Sequence, residues 1–263
     1  MTMFKDVKRL GQYWDLLVTL TFRDIQVRYK QTFLGVAWAV TQPLAFMVIL
    51  TTVKTLIFKE SNPEGVPNPI FIYCAMVPWI FFQNSLGLST NSVSGNLNLV
   101  KKIYFPREIL PMASIFASVI DFLIASGIFF GMMLFYHIPF TASLLWIPVL
   151  FLIELVFVLG VGLFVAASNV FYRDVKYIVP LIVQLLFFAS PIFYSVNQVP
   201  EGLRRWYLLN PIAVVIDGFR RAIIHGTAPE VGPLVTTFGM SVFCCVLAYA
   251  YFKHVEVKFA DLI

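Results

Sequence analysis

The side chains that could do chemistry in this chain of 263 residues are few and scattered. Asp121 and Glu154 are carboxylic acids inside long apolar stretches. The three histidines stand apart from one another, and neither an H-E-x-x-H pattern nor any other paired-ligand spacing occurs. Since zinc and similar ions need several ligands at defined spacings, we expect no metal site and no catalytic residue.

The motifs of nucleotide and sugar chemistry are also missing. The chain contains no Gly-Lys pair, so it lacks the phosphate loop G-x-x-x-x-G-K-[ST] and cannot hydrolyse ATP by that route. It has no Asp-x-Asp pair for a metal-dependent glycosyltransferase. Acids at membrane depth face other helices or a cavity. We therefore expect Asp121 and Glu154 to make hydrogen bonds between helices, with a proton relay as the alternative.

Six apolar stretches, each near or above twenty residues, decide the fold class. An α-helix rises 1.5 Å per residue, so about twenty residues cover the roughly 30 Å of a bilayer's hydrocarbon core. Continuous apolar runs favour helices over the short alternating segments of a membrane barrel. The sequence predicts an all-α integral membrane protein with six transmembrane helices at 34–57, 70–93, 111–136, 144–168, 177–196 and 231–252.

Composition agrees with a single membrane domain, 34–263, preceded by an N-terminal cytoplasmic segment with an interfacial helix, 1–33. Apolar residues make up 59% of the chain and charged residues 13%, with a mean hydropathy of +0.83. Six spans leave no room for a separate soluble domain. The net charge of +5 comes from basic residues beside the spans, where anionic lipid headgroups explain them better than nucleic acid.

Lysine and arginine also predict the orientation. If the N-terminus is cytoplasmic, most of the 19 basic residues fall in cytoplasmic segments, as the positive-inside rule requires. We therefore expect both termini in the cytoplasm. Lys59 and four arginines fall in external segments, and the four arginines all lie in the external connection 197–226.

That connection contains two short helical patterns divided at Asn210 and Pro211, because proline favours the first turn of a helix. Neither pattern is long enough to cross a bilayer. We expect a re-entrant external helical hairpin before the last span, the alternative being an amphipathic loop on the membrane surface.

Two amphipathic patterns lie on the cytoplasmic side. The first runs from Trp14 to Phe33 and predicts an interfacial helix along the headgroups, with Asp24 and Arg28 spaced for an i, i+4 ion pair. The second, 96–104, predicts a short helix stopped by Pro106. This second helix is either a docking element for a cytosolic partner or another anchor at the membrane interface.

Five segments, in order along the chain, resemble one protein family: RDIQVRYKQTFLGVAWAVTQP, VPWIFFQNSL, NLVKKIYFPREILP, NVFYRDVKYIVPLIVQLLFFASPIFY and LNPIAVVIDGFR. They resemble the membrane subunits of bacterial ATP-binding-cassette polysaccharide exporters. The likeness is greatest to the permeases that export lipid-linked O-antigen, with capsule and wall teichoic acid exporters as near relatives. The motifs are specific to the family and much less specific to the substrate.

The resemblance implies a homodimer joined by two copies of a separate ATPase at the bacterial inner membrane. ATP and magnesium are then expected on the ATPase, and no cofactor on this chain. It also implies a coupling helix between the second and third spans and two gate helices before the last. The ATPase contacts are assigned to Leu97, Val100, Lys101, Lys102 and Tyr104, and the gate helices to Arg204, Arg205, Trp206, Asp217, Arg220 and Arg221.

A sugar polymer needs a path that holds it weakly and repeatedly, and aromatic rings stack on sugars in this way. The alternative for each ring is packing against neighbours or an interfacial belt. The candidates for the path are Trp38, Tyr73, Trp79, Phe81, Phe82, Phe187, Phe188 and Tyr194.

The carrier implied by the resemblance is undecaprenyl diphosphate, whose charge must be collected at the inner headgroup level. Arg23, Arg28 and Lys30 lie there, and arginine offers two parallel donors to a phosphate. We expect an ATP-driven exporter subunit for lipid-linked polysaccharide of O-antigen type. The alternatives are the same machine carrying capsule polysaccharide, teichoic acid or a small amphiphile, and a membrane enzyme acting on lipid-linked sugars.

Overall fold

The computed structural model describes residues 11–30, 32, 35–57, 59 and 65–260, without the side chains of residues 205, 206 and 260. This part of the chain is helical and contains no strand. Short 3₁₀ or π-helical turns extend several of the helices. The α-helices are α1 (Trp14–Tyr29), α2 (Trp38–Thr52), α3 (Asn68–Ser92), α4 (Leu97–Lys102), α5 (Ile109–Phe135), α6 (Trp146–Phe171), α7 (Val175–Phe188), α8 (Glu201–Tyr207), α9 (Pro211–Arg220) and α10 (Val231–Val255).

Five helical segments in the described part are long and apolar enough to cross a membrane. They confirm five of the six predicted stretches, with shifted ends. They are Gly35–Ile57, Asn68–Ser92, Ile109–Phe135, Ala142–Phe171 and Val231–Phe259.

The stretch predicted at 177–196 takes a different form. Helix α7 has only 14 residues, which at 1.5 Å each give about 21 Å, and bends follow it at 190–194. Pro191 explains the early end, since proline has no N–H to donate and disfavours helical backbone in the residue before it. The structure therefore does not confirm a sixth full crossing at this position.

Helix α3 is the centre of the bundle. It packs against α2, α5, α6, α7 and α9, and its residues from Ile70 to Phe82 are all buried. A helix that is apolar on every face is stable only when it is surrounded. Helix α3 therefore forms the core against which these helices pack.

A second apolar cluster closes one end of the bundle. It joins Leu17 and Leu20 of α1, Val100 of α4 and Phe259 of the turn Glu256–Ala260. Since α4 follows the end of α3, this end is opposite to the start of α3. The interfacial helix, the short helix α4 and the C-terminal turn thus share one end of the molecule.

Helices α6 and α10 pack closely, and Gly160 makes the contact possible. A Cβ atom at Gly160 would lie 2.8 Å from Cα of Cys245, closer than side chains approach backbone. Small residues at such contacts are a common means of helix association in membranes. This contact fixes α10 against the core.

The segment before α10 lies at the other end. The side chain of Asn210 accepts a hydrogen bond from the Ile212 N–H at 3.1 Å, and Pro211 begins α9, so the predicted division between two short helices is confirmed. Helix α9 lies buried against α3 and α6. A π-helical turn extends it to His225, and Gly226 ends it with φ +62°.

Candidate functional site

Arg28 and Asp121 form an ion pair at the end of the bundle that contains α1. The guanidinium Nη1 of Arg28 donates to the Asp121 carboxylate, and the Tyr29 hydroxyl donates to the other carboxylate oxygen. Burial, together with this hydrogen bond to Asp121, raises the pKa of Tyr29 to about 12, so the phenol remains a donor at neutral pH. The expected contact of Asp121 with another helix is confirmed.

The other charges of α1 do not form the predicted Asp24–Arg28 pair. Arg23 instead pairs with Asp24 at 2.8 Å and donates to the side chain of Asn96 at 3.0 Å. Asp24 also accepts from the Ser114 hydroxyl at 2.9 Å. These contacts tie α1 to α5 and to the turn before α4, while Lys30 remains exposed at the end of α1.

The second guanidinium nitrogen of Arg28, Nη2, is buried and has no hydrogen-bond partner among the described residues. The residue Arg28 lines a cavity of about 390 Å³ together with Trp38, Gln42, Asn84 and Gly87. A buried cationic donor without a partner is costly. The guanidinium therefore places an incompletely satisfied positive charge beside this cavity.

A second cavity of about 530 Å³ continues from the first. Asn84 and Gly87 line both, so the two form one groove along α3, between α2 and α7. We call it the α3 groove. The side chains that border only its second part include Phe46, Trp79, Gln83, Gln184, Phe187 and Phe188.

The predicted aromatic residues divide into two groups. Trp38, Trp79, Phe187 and Phe188 line the α3 groove. Trp38 and Phe188 are 50% and 62% exposed, whereas Trp79 is 1% exposed and belongs largely to the core. Tyr194 lies just beyond the groove, where its hydroxyl donates to the Phe188 carbonyl at 3.2 Å.

The remaining three rings are buried inside the chain. Tyr73 stacks on Phe129 at 5.9 Å between ring centroids. Phe81 packs on Phe151 at 5.1 Å, and Phe82 on Phe157 at 6.1 Å. In this chain these three rings form the core beneath the groove.

Helix α4 is shorter than the predicted 96–104 and packs inward. Val100 is 7% exposed and belongs to the apolar cluster with α1. This corrects its expected role as an anchor for a partner, because its side chain is occupied by the chain's own core. Leu97 is half-buried, Lys101 and Lys102 are exposed, and Tyr104 is 90% exposed.

Tyr104 borders a polar cavity of about 630 Å³ at the same end. Lys253 lies in this cavity and pairs with Glu108 at 2.7 Å and with Glu256 at 3.1 Å. Arg107 donates to the Glu256 carbonyl. The ion pairs hold the end of α10 against the start of α5, and Tyr104 stands beside them.

The predicted gate residues occupy α8, α9 and the turn after α9. Arg221 pairs with Asp217 and with Glu230, both at 2.7 Å. Burial works to lower the pKa of Arg221, but the hydrogen bonds and charges of Asp217 and Glu230 together raise it above its usual value. Arg204 donates to the side chain of Asn197, whereas the side chains of Arg205 and Trp206 lie outside the described residues.

Arg220, one of the residues assigned to the gate helices, is buried. It is 2% exposed and lies over the ring of Phe71 at 3.6 Å. Its guanidinium donates to the carbonyls of Ile192 and Tyr194 at 2.8 Å each. A cation on an aromatic face is attracted to the ring, so Arg220 fastens α9 to α3 and to the bends after α7.

Sequence reasoning missed the amides of the groove, Gln42, Gln83, Asn84 and Gln184, together with Phe46 and Gly87. The signal in the sequence was weak, because these are uncharged polar residues inside stretches that are otherwise apolar enough to span a membrane.

Glu154 is fully buried, and neither carboxylate oxygen has a hydrogen-bond partner among the described residues. Its expected hydrogen bond between helices is therefore not seen.

Comparison with known proteins adds an independent finding. Residues 15–224 match the family described as ABC-2 type transporter. The chain is 28% identical to the O-antigen export system permease protein RfbA of Myxococcus xanthus, over 99% of this chain and 100% of that protein. A protein of the same description from Klebsiella pneumoniae is 30% identical over 97% of both chains. The polysialic acid transport protein KpsM of Escherichia coli is 23% identical over 80% of this chain and 82% of its own length.

Proposed function

Because the chain belongs to the ABC-2 type transporter family, we propose that it is the transmembrane subunit of an ATP-driven exporter of lipid-linked polysaccharide. The cargo is of O-antigen type, as the descriptions of the relatives suggest. The observation that carries the proposal is the α3 groove. It runs along α3, a helix able to cross a membrane, and joins the half-buried Arg28 to the exposed rings of Trp38 and Phe188.

Loading begins at Arg28. The carrier's diphosphate approaches at the inner headgroup level, and the guanidinium of Arg28, which lines the groove and keeps one donor without a partner, binds a phosphate oxygen. Charge-assisted hydrogen bonds of this kind are about twice as strong as neutral ones. Asp121 holds the guanidinium in place, while the exposed Lys30 lies near enough along the chain to add charge at the surface.

Movement of the sugar follows the rings of the groove. Trp38 stands beside Arg28, and Phe187 and Phe188 border the second cavity. Aromatic faces stack on the C–H surfaces of sugar rings without demanding one sequence of sugars. The polymer therefore passes from one weak contact to the next, and no single site stops it.

The machine is completed by other chains. Two copies of this chain form the pathway, and a separate ATPase binds at the end that contains α1 and α4, which lies in the cytoplasm together with both termini. ATP and magnesium bind on that ATPase. Helix α7 with the bends after it forms the sixth crossing, and α8 and α9 form a re-entrant gate on the external side. The family match and the shared location of α1, α4 and the C-terminal turn support this arrangement.

Capsule polysaccharide is the second candidate cargo. The 23% identity to the polysialic acid transport protein KpsM over most of both chains favours it. The groove suits either polymer, because its aromatic and amide groups are uncharged. A small amphiphile or an enzymatic role gains no such support.

A plug in the groove tests the proposed function. Gly87 is exposed at the junction of the two cavities, and an added Cβ there would meet nothing within 4 Å. Gly87→Leu should therefore fill the groove without disturbing the fold and reduce polymer at the cell surface at least tenfold. The measurement is surface polymer in the native host, with membrane level and ATPase assembly checked in parallel.

The matched control is Gly131→Leu. Gly131 is also exposed with open space around it, but it lies on α5 away from the groove. This variant should export normally. If Gly87→Leu also exports normally at wild-type protein levels, the α3 groove is not the pathway and the proposal fails.

A further inference from the structure

Four amide side chains face the α3 groove from three helices. Gln42 comes from α2, Gln83 and Asn84 from α3, and Gln184 from α7. All four lie within apolar helices. The charged residues that line the groove, Arg28 and Asp121, are both at its first cavity, and the second cavity is lined by uncharged residues. The amides follow the groove from the cavity of Arg28 to the cavity of Phe187.

These amides have unused hydrogen-bonding capacity. Within the described ranges, the side chains of Gln42, Asn84 and Gln184 make no hydrogen bond. Gln83 uses only its oxygen, which accepts from Nε1 of Trp79 at 3.2 Å. Each amide group offers two donors and one acceptor, and at membrane depth such groups face protein or a water-filled cavity rather than lipid.

We infer that Gln42, Gln83, Asn84 and Gln184 form a ladder that binds the hydroxyl groups of the polysaccharide. The inference rests on the proposed function and adds to it the groups that hold the edges of each sugar. Aromatic rings can hold only the C–H faces of a sugar, whereas its hydroxyls need donors and acceptors in exchange for water. The alternation of rings and amides along one groove supplies both.

The ladder is uncharged, which suits the weak binding of a polymer that must move. A neutral amide both donates and accepts, so it can meet a hydroxyl in either orientation. Hydrogen bonds between neutral groups contribute little net affinity, roughly threefold to tenfold each, which permits release and movement. The cation at Arg28 would hold the diphosphate end, and the amides would hold the sugars behind it.

The first experiment removes the amides one at a time in the native host. Asn84→Leu and Gln184→Leu keep side-chain volume but remove hydrogen bonding, while Asn84→Gln and Gln184→Asn keep the amide. We expect each leucine variant to lower the rate of polymer appearance at the surface about threefold to tenfold, and each amide variant to lower it less than the leucine variant at the same position. Gln26→Leu, at an exposed amide of α1 outside the groove, is the matched control and should export normally.

The outcomes separate this inference from the proposed function. If the leucine variants export normally while Gly87→Leu blocks export, the groove is the pathway and the amide ladder is wrong. If Gly87→Leu also exports normally, the pathway itself is wrong. If a leucine variant is lost from the membrane, its export cannot be interpreted, and the second experiment tests the ladder instead.

The second experiment asks what fills the groove. Cysteine replaces Asn84 or Gln184 in a chain whose own cysteines are replaced by alanine, and whole membranes are treated with a charged methanethiosulfonate reagent. We expect modification in a host that cannot make the polymer and at least fivefold slower modification in a host that is exporting it. No modification in either host would mean that lipid or packed side chains fill the groove, and equal modification in both would mean that the polymer passes elsewhere; either result overturns the ladder.

Discussion

At the scale of single residues, Arg28 uses only one of the two terminal nitrogens of its guanidinium within the chain. Nη1 is bound by Asp121, a carboxylate that is 7% exposed, and Nη2 is unpartnered among the described residues. Breaking a buried ion pair by removing one member costs about 3–5 kcal/mol, because the other charge stays buried. Arg28 therefore has a structural role toward Asp121 as well as the proposed role toward a phosphate.

A pair of variants separates these two roles of Arg28. Arg28→Gln alone should lower both thermal stability and export, since it leaves Asp121 uncompensated. Arg28→Gln combined with Asp121→Asn should recover most of the stability but not the export, because the phosphate donor is still absent. Thermal unfolding of the purified protein and surface polymer in cells are the two measurements, and recovery of export in the double variant would show that Arg28 acts only through Asp121.

At the scale of the elements, α4 illustrates how packing redirects a sequence pattern. The pattern at 96–104 predicts a helix with Val100 and Tyr104 on one side. In the structure α4 ends at Lys102, and Ile103 takes extended backbone, so the two side chains no longer share a face. Val100 closes the cluster with α1, whereas Ile103 and Tyr104 are 56% and 90% exposed. The proposed contact with the ATPase therefore belongs to the residues after α4.

Tyr104→Asp should weaken the association with the ATPase while leaving the fold intact, because the side chain is exposed. An apolar or aromatic anchor at the centre of an interface contributes about 2 kcal/mol or more, so the ATPase retained on purification should fall by roughly tenfold or more. Lys102→Ala on the same segment should have little effect. Val100→Asp should instead lower thermal stability, since it buries a charge in the chain's own core. Full ATPase retention in Tyr104→Asp would contradict the proposed contact.

The elements also show how far the sequence could predict the structure. Five apolar stretches, the division at Pro211 and the helix α1 follow from local rules of length, proline and periodicity. The pairing of Arg28 with Asp121 joins residues 93 positions apart, and no local pattern encodes it. The separation of Trp38 and Phe188 from Phe81 and Phe82 depends on which face of α3 its neighbours cover, which only tertiary packing decides. The amides of the groove were overlooked for the same reason.

At the scale of the whole molecule, the α3 groove is open along one side. Gln184 is exposed on α7, between Leu181 and Leu185, which are 57% and 62% exposed. An apolar face alone accepts lipid, but unpartnered amides in the same opening do not. A second copy that brings its own groove to face the first would enclose both sets of amides in one polar pathway. The proposed homodimer therefore places α7 near its two-fold axis.

Cysteine cross-linking tests this dimer. Near a two-fold axis a residue meets its own counterpart, so Leu181→Cys or Leu185→Cys, in a chain without its own cysteines, should form a dimer of about twice 29.9 kDa on oxidation in membranes. Leu123→Cys is the matched control, because it is 56% exposed on α5, a helix that does not border the second cavity. It should remain monomeric on a denaturing gel. Cross-linking through Leu123 and not through α7 would place the dimer contact on the opposite face and leave the α3 groove open to lipid, which its unpartnered amides disfavour.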